Sequence, residues 1–150
     1  MRILVFDPGE NTGWVEAEYD ESGLRTNLTG GTAVRDHAKV AELFDIFNPT
    51  HIVYETFNLY PGMARNGTMN WNSFYPCEVI GVIKYLAQRK GLPIYGQSPS
   101  IKKYSGGLQQ DWVVLRERCA ATEHMKDAYL HLKYFERNNK DFRSLLKASQ

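Results

Sequence analysis

Short runs of apolar and β-branched residues, separated by polar turns, dominate the first hundred residues. Such runs are typical of buried strands. They predict five strands, over residues 2–7, 12–19, 24–34, 51–55 and 92–97. Turn-forming residues follow the first strand and separate the second strand from the third, so the first three strands are expected to form an antiparallel meander.

Helical spacing of apolar residues replaces this pattern between and after the later strands. Asp36 is placed to cap a helix that runs to about Phe47. Further helices are predicted over residues 73–90, 112–118 and 122–137, with polar loops over 57–72 and 98–111. The order β-β-β-α-β-α-β-α predicts an α/β fold, with a mixed five-stranded sheet flanked by helices.

Composition supports a single folded domain spanning residues 1–150. The chain is 43% hydrophobic and 23% charged, which is sufficient for a core and typical of ordered proteins. No apolar run approaches the roughly 20 residues of a membrane span, and charges come too early for a secretory signal. Cys77 and Cys119 form no metal-ligand pattern. A reducing cytoplasm is therefore the expected location.

Charge is unevenly distributed, although the net charge is only +1. Residues 1–60 contain four Lys or Arg against ten Asp or Glu, whereas residues 84–118 contain seven basic and two acidic residues. An acidic half and a basic half suit an enzyme that holds cations and a polyanion together. The same distribution is also compatible with an ordinary solvated surface.

Four polar residues form a candidate catalytic group. Asp7 and Glu55 end the first and fourth predicted strands, which can lie side by side in a mixed sheet. His124 and Asp127 are three residues apart on the last helix and share one face. Carboxylates gathered in this way bind hard divalent cations, which activate water and stabilise a leaving phosphate oxygen. Taken singly, each residue is equally compatible with a turn, a strand end or a helix surface.

Three segments that contain these residues resemble the motifs of RuvC-type Holliday junction resolvases. The first comprises residues 3–9, ILVFDPG, followed by Thr12-Gly13-Trp14. The second is IVYE at 52–55, and the third is HMKDA at 124–128. All three occur in the family's order at fitting separations, so the combination is specific although each motif alone is weak.

The resemblance implies a ribonuclease H-like fold and a structure-selective endonuclease that acts on branched DNA. It implies Mg²⁺ or Mn²⁺ as cofactor, two ions per site, and cleavage that leaves 5′-phosphates. By motif position, Asp7, Glu55, His124 and Asp127 would be metal ligands or catalytic groups. His124 either binds metal or transfers a proton. Two symmetric nicks require two sites, so a homodimer is implied.

The resemblance also suggests DNA-binding residues. Each of them is also compatible with a simpler interpretation, as part of a solvated loop or as a side chain that covers the edge of the core. These are Lys102 and Lys103 after the fifth strand, Phe57, Tyr60 and Trp71 as aromatics that wedge into the junction, and Arg116 and Arg118. The two arginines would replace a family lysine, because no Ala-x-Lys segment is present in residues 105–111.

The sequence is compatible with more than one function. A long polar loop over 57–72 suggests altered substrate preference, and the compact, divergent chain is typical of a phage-encoded protein. The alternatives are a ribonuclease H-like nuclease for flaps or RNA–DNA hybrids, and a silent branched-DNA-binding module. A kinase of the actin type needs two such domains, which 150 residues cannot supply. The helix over 73–90 is the candidate dimer element, with Tyr75, Val79, Val82 and Tyr85 as an exposed stripe, and the same stripe is equally compatible with simple core packing.

Overall fold

A computed structural model describes residues 1–58 and 74–148, and these form an α/β fold. Its strands are β1 (Arg2–Asp7), β2 (Asn11–Tyr19), β3 (Arg25–Val34), β4 (His51–Glu55) and β5 (Ile94–Gln97). Its α-helices are α1 (His37–Phe47), α2 (Tyr75–Arg89), α3 (Gln110–Arg118), α4 (Glu123–Asn138) and α5 (Lys140–Ala148), and a 3₁₀ helix spans Pro99–Tyr104. The predicted order of the elements is confirmed, whereas the 3₁₀ helix and α5 were not predicted.

The five strands form one mixed sheet in the order β3-β2-β1-β4-β5. Strands β1, β2 and β3 pair as the predicted antiparallel meander, and β4 and β5 add in parallel to β1. Strand β1 lies at the centre, and its residues Ile3 to Phe6 are fully buried because helices cover both faces. The predicted adjacency of β1 and β4 is therefore confirmed.

Each face of the sheet has its own apolar core. Helices α1 and α2 cover Leu4, Phe6 and Ile52, while α4 covers Ile3, Val5, Val15 and Val53 on the other face. Asp36 caps α1 as predicted, because its side chain accepts a hydrogen bond from the Lys39 backbone N–H. Among the described residues, no helix combines the length and apolar character needed to cross a membrane.

The stripe suggested for dimer formation on α2 is partly wrong. Val79 is 1% exposed and packs with Ile83 in the core under the sheet. Tyr85 is exposed on the same helix. The difference arises because Val79, Ile83 and Ala87 share one face of the helix, which is the face turned toward the sheet.

A network of charged groups fixes α4 and α3 against the meander. Arg25 on β3 donates to the Glu136 carboxylate at 2.9 Å and also pairs with Asp111. Tyr19 donates to Glu136 at 2.6 Å, and Tyr129 donates to Asp111. Because these groups come from α3, α4, β2 and β3, the network holds α4 in register with the sheet.

Candidate active site

Three parallel strands end at one edge of the sheet with polar side chains. Asp7 ends β1, Glu55 ends β4 and Gln97 ends β5, and Glu55 lies directly opposite Gln97 in the pairing. Since residues alternate between faces, these side chains lie on the face covered by α4, like Val5 and Val53. Ligands bind at this edge in open α/β sheets.

Helix α4 carries the remaining candidate groups to the same edge. His124, Asp127 and His131 follow at intervals of three and four residues, so they share one helical face. Thr122 caps the helix, accepting from the Met125 backbone N–H at 3.1 Å.

Gly13 allows the start of α4 to approach the sheet. A Cβ atom at this position would lie 2.0 Å from the His124 carbonyl oxygen, which no side chain permits. The glycine of the first motif is therefore required by packing, because the residue opposite Asp7 in the β1–β2 pairing must have no side chain.

Lys102 occupies the centre of the acidic group. Its ammonium lies 2.7 Å from Glu55 Oε2 and 2.6 Å from Asp127 Oδ2. The 3₁₀ helix places it there, with Ser98 capping and Pro99 in the first turn. His124 Nδ1 lies 3.2 Å from Asp7 Oδ2. The structure thus brings together Asp7, Glu55, His124 and Asp127, with Lys102 between two of the carboxylates.

The electrostatics of the site are those of crowded carboxylates. Burial and the negative charge of Glu55 raise the pKa of Asp7 to about 6. Burial alone would raise the pKa of Glu55, but hydrogen bonds from His131 and Lys102 outweigh it and lower that pKa. Burial opposes the charge on Lys102, yet its contacts with Asp127 and Glu55 raise its pKa overall. Lys102 therefore acts as an internal counter-ion.

The sequence reasoning missed His131 and Gln97. His131 is 0% exposed, and its Nε2 lies 2.7 Å from Glu55 Oε2 while its Nδ1 lies 2.7 Å from Gln97 Oε1. A signal was available: His131 interrupts the apolar face of α4 four residues after Asp127. A polar residue on a buried helical face needs a partner, which here is a candidate catalytic carboxylate.

The donor set fits a divalent cation by its chemistry. Within the described part of the chain, no three His, Cys, Asp or Glu side chains are arranged as a metal site. The ammonium of Lys102 lies between Glu55 and Asp127, at the position where these two carboxylates would share a cation. Three carboxylates and an imidazole supply oxygen and nitrogen ligands. Burial, together with the negative charge of Glu55, raises the pKa of Asp7, and a bound cation would stabilise the charged form of this carboxylate.

Most of the predicted DNA-binding residues lie outside the acidic group. Lys103 is exposed, with its ammonium 4.9 Å from the centre of the Tyr104 ring. Arg116 and Arg118 are exposed on α3, and Arg118 lines a separate cavity that also includes Arg25. Lys102 contacts carboxylates directly, so its predicted role as a phosphate contact stays a prediction.

The predicted junction-wedging aromatics are only partly described. Phe57 is half-buried two residues after Glu55, close to the candidate site. Tyr60 and Trp71 lie outside the described residues. The wedge therefore stays a prediction for all three.

Solved structures that are similar to this chain include Holliday junction resolvases. One is Thermus thermophilus RuvC in complex with a Holliday junction substrate, with a TM-score of 0.64, 17% identity, and coverage of 99% of this chain and 97% of that one. The fowlpox virus Holliday junction resolvase gives a TM-score of 0.60 at 16% identity, with 91% and 99% coverage. The yeast mitochondrial resolvase Ydc2 gives 0.53 at 14% identity, with 97% and 80% coverage.

These similarities establish the fold of the chain. It has the architecture of RuvC-type resolvases, the ribonuclease H-like fold that the sequence motifs predicted. No protein-family model and no curated protein sequence matches the chain. The class of the protein is therefore defined by its structure. It is an α/β protein with a resolvase-like sheet, and three carboxylates and one histidine lie together at the edge of that sheet.

Proposed function

We propose that this chain is a divalent-metal-dependent endonuclease that resolves Holliday junctions and related branched DNA. The observation that carries the proposal is the convergence of Asp7, Glu55, Asp127 and His124, from two strand ends and one helix, at the ligand-binding edge of the sheet. The solved structures that share the fold include resolvases bound to Holliday junction DNA, which supports a branched substrate.

The proposed cofactor is Mg²⁺ or Mn²⁺, with two ions per site. Asp7, Glu55, Asp127 and His124 would hold them. Bound divalent ions would supply a metal-activated water and stabilise the departing phosphate oxygen, leaving a 5′-phosphate and a 3′-hydroxyl.

This chain's own residues have defined tasks in such a site. Asp7 is buried and its carboxylate is oriented by His124, so it enters the reaction with a fixed geometry. Lys102 balances the carboxylate charge when the protein is free, and is positioned at the same place to contact a phosphate oxygen of the substrate. His124 is half-exposed beside Asp7, where it binds metal or accepts a proton.

We further propose that the enzyme acts as a homodimer, because paired symmetric nicks need two active sites. The exposed Tyr85 on α2 is a candidate contact between the two copies.

A substrate panel tests the proposed specificity. The purified protein is incubated with labelled four-way junction, flap, fork, linear duplex and RNA–DNA hybrid in Mg²⁺ or Mn²⁺. The proposal expects paired symmetric nicks in the junction and little cleavage of linear duplex. Cleavage of flaps or hybrids alone would keep the metal site and reject the resolvase. Tight junction binding without cleavage of any substrate would indicate a binding module.

A further inference from the structure

His131 links the candidate metal site to the interior of the protein. Its ring is fully buried under α4, and both ring nitrogens have partners at 2.7 Å. One partner is Glu55 Oε2 at the end of β4, and the other is the side chain of Gln97, opposite Glu55 on β5. The imidazole therefore lies between two neighbouring strand ends.

Hydrogen-bond chemistry determines where His131 carries a proton. A carboxylate only accepts, so a favourable contact with Glu55 requires an N–H at Nε2. If the ring is neutral, Nδ1 accepts a hydrogen bond from the Gln97 amide, whose oxygen and NH₂ positions are then exchanged. If the ring is an imidazolium, Nδ1–H donates to the Gln97 amide oxygen. In both arrangements Nε2–H donates to Glu55, and Gln97 holds the ring in place.

The two groups that hold Glu55 differ in mobility. Lys102 and His131 both contact Oε2. Lys102 has a long, partly exposed side chain, and a divalent cation would repel its ammonium. His131 is fixed by the packing of α4 on the sheet, so its contact persists when the charge in the site changes.

We infer that His131, held by Gln97, is a positioning residue that fixes the Glu55 carboxylate in the orientation that binds a divalent cation. This inference rests on the proposed function, because it takes Glu55 as a metal ligand. Groups that hold a metal ligand in this way typically change metal affinity about 10- to 100-fold when removed.

Metal binding by the DNA-free protein tests this role independently of cleavage. The dissociation constant for Mn²⁺ is measured by electron paramagnetic resonance, below the melting temperature of every variant. His131→Leu is expected to weaken binding about 10- to 100-fold. His131→Gln, which can place an N–H donor near the Nε2 position, is expected to restore most of the affinity. Gln97→Met is expected to weaken binding to a smaller extent, since the imidazole remains.

Controls separate this role from general loss of stability. Leu132→Ala removes a fully buried neighbour of His131 that packs in the apolar core, so it lowers stability and should leave Mn²⁺ affinity unchanged. If His131→Leu binds Mn²⁺ as tightly as the wild type while Asp7→Asn does not, the positioning role is overturned and the proposed function stands. If Asp7→Asn binds as tightly as the wild type, the metal site itself is wrong. If His131→Leu does not fold, the other two variants decide the question. The positioning role is overturned if Gln97→Met binds Mn²⁺ as tightly as the wild type while His131→Gln binds it weakly.

A second observation concerns a cavity beside the site, between the 3₁₀ helix and the end of α4. Its volume is about 540 Å³, and it is lined by Lys103, Tyr104, Gly106, Tyr134, Arg137 and Asn138. This lies within the range of small-ligand sites. Lys103 is the chain neighbour of Lys102, so the 3₁₀ helix carries one residue of the acidic group and one residue of this cavity.

Two exposed cations contact the 3₁₀ helix or the loop after it at this cavity. Arg137 donates to the Tyr104 carbonyl oxygen at 3.2 Å. It lies against Gly106, where a Cβ would be 2.6 Å from Nη1 and φ is +92°. Lys103 lies over the Tyr104 ring, which is 60% exposed. Two cations beside an exposed aromatic ring match a phosphate joined to a base.

From this geometry we propose that the cavity binds one nucleotide of the substrate strand, a few nucleotides from the cleaved phosphate. Lys103 and Arg137 would contact the phosphate, and Tyr104 would stack on the base. Arg137 is ten residues after Asp127, about 15 Å along the helix axis, which corresponds to a few nucleotides from the cleavage point. This proposal deepens the proposed function and rests on it.

The salt dependence of DNA binding tests the nucleotide site. Junction binding is measured by fluorescence anisotropy at several salt concentrations, in EDTA and in an Asp7→Asn background that does not cleave. Arg137→Ala is expected to reduce the slope of log affinity against log salt by about one, and Lys103→Ala combined with it by about two. Tyr104→Leu is expected to lower affinity at least about 5-fold with little change in slope.

Lys90→Ala is the matched control, because it removes an exposed cation at the end of α2, which packs on the other face of the sheet. Arg137→Ala with the parent's affinity and slope overturns the nucleotide site, as does an equal loss in Lys90→Ala. Failure of the parent to bind any DNA contradicts the proposed function itself.

Discussion

Asp7→Asn removes the most strongly perturbed carboxylate of the site. Burial and the charge of Glu55 raise its pKa from 3.8 to about 6. An acid whose pKa is higher in the folded than in the unfolded protein lowers stability as pH rises, because the unfolded chain loses the proton first. The penalty begins near pH 4, grows until the pH passes about 6, and is then constant. Above that pH, Asn at this position avoids the penalty.

The size of the effect follows from the pKa difference. About 2 pH units correspond to a ceiling of about 3 kcal/mol. The variant also weakens the contact with His124, which offsets about 1 kcal/mol. We therefore expect Asp7→Asn to raise the free energy of unfolding by about 1–2 kcal/mol near pH 8, and to have little or a slightly negative effect near pH 4. For a chain of this length the gain equals a melting-temperature increase of about 2–8 °C.

Urea unfolding in EDTA, followed by circular dichroism between about pH 4 and pH 8, measures this difference. Adding Mg²⁺ or Mn²⁺ near pH 8 should stabilise the wild type and leave Asp7→Asn nearly unchanged, because the ion offsets the same repulsion. A variant less stable than the wild type near pH 8, or a difference that does not change with pH, would refute the reasoning.

Four further substitutions test other parts of the structure. Glu16 faces the side of the sheet opposite the candidate site, and burial raises its pKa to about 7. Glu16→Gln should therefore stabilise the protein by about 1–2 kcal/mol near pH 8, which urea unfolding measures. The same variant should leave junction cleavage unchanged in a nicking assay. Lys102 balances the charge of Glu55 and Asp127, so Lys102→Met should destabilise the metal-free protein by about 1–2 kcal/mol. In a thermal-shift assay, Mn²⁺ should stabilise this variant more than it stabilises the wild type. A smaller Mn²⁺ effect would contradict the counter-ion role of Lys102. Gly13→Ala should cost about 1–3 kcal/mol or more in urea unfolding, since its Cβ meets the α4 backbone, whereas Gly81→Ala, with open space around its Cβ, should be stabilising by up to about 1 kcal/mol.

Those parts of the fold that depend on local pattern were predictable. Alternation and turn residues identified the five strands, and the Asp36 cap placed the start of α1. The separations of Asp7, Glu55 and Asp127 along the chain placed them at strand ends and on one helix, which is sufficient to predict their convergence. These features depend on residues close in sequence or on the topology of a mixed sheet.

The missed features depend on contacts between distant segments. Residues 98–111 have no apolar periodicity, and this pattern predicts a loop rather than the 3₁₀ helix. The contacts of Lys102 with carboxylates on β4 and α4 join segments that are distant in sequence, so local pattern does not reveal them. The role of His131 likewise depends on Gln97, which lies 34 residues earlier. Val79 was assigned to a dimer stripe because helical spacing alone does not say which face meets the sheet.

The most direct test of the central claim is single-turnover cleavage of a labelled four-way junction in Mg²⁺, comparing wild-type protein with Asp7→Asn. The account predicts paired symmetric nicks by the wild type, their loss in EDTA, and no nicks by Asp7→Asn although that variant still binds the junction. Equal cleavage by the two proteins, or cleavage that persists in EDTA, would contradict the assignment of the metal-binding nuclease site.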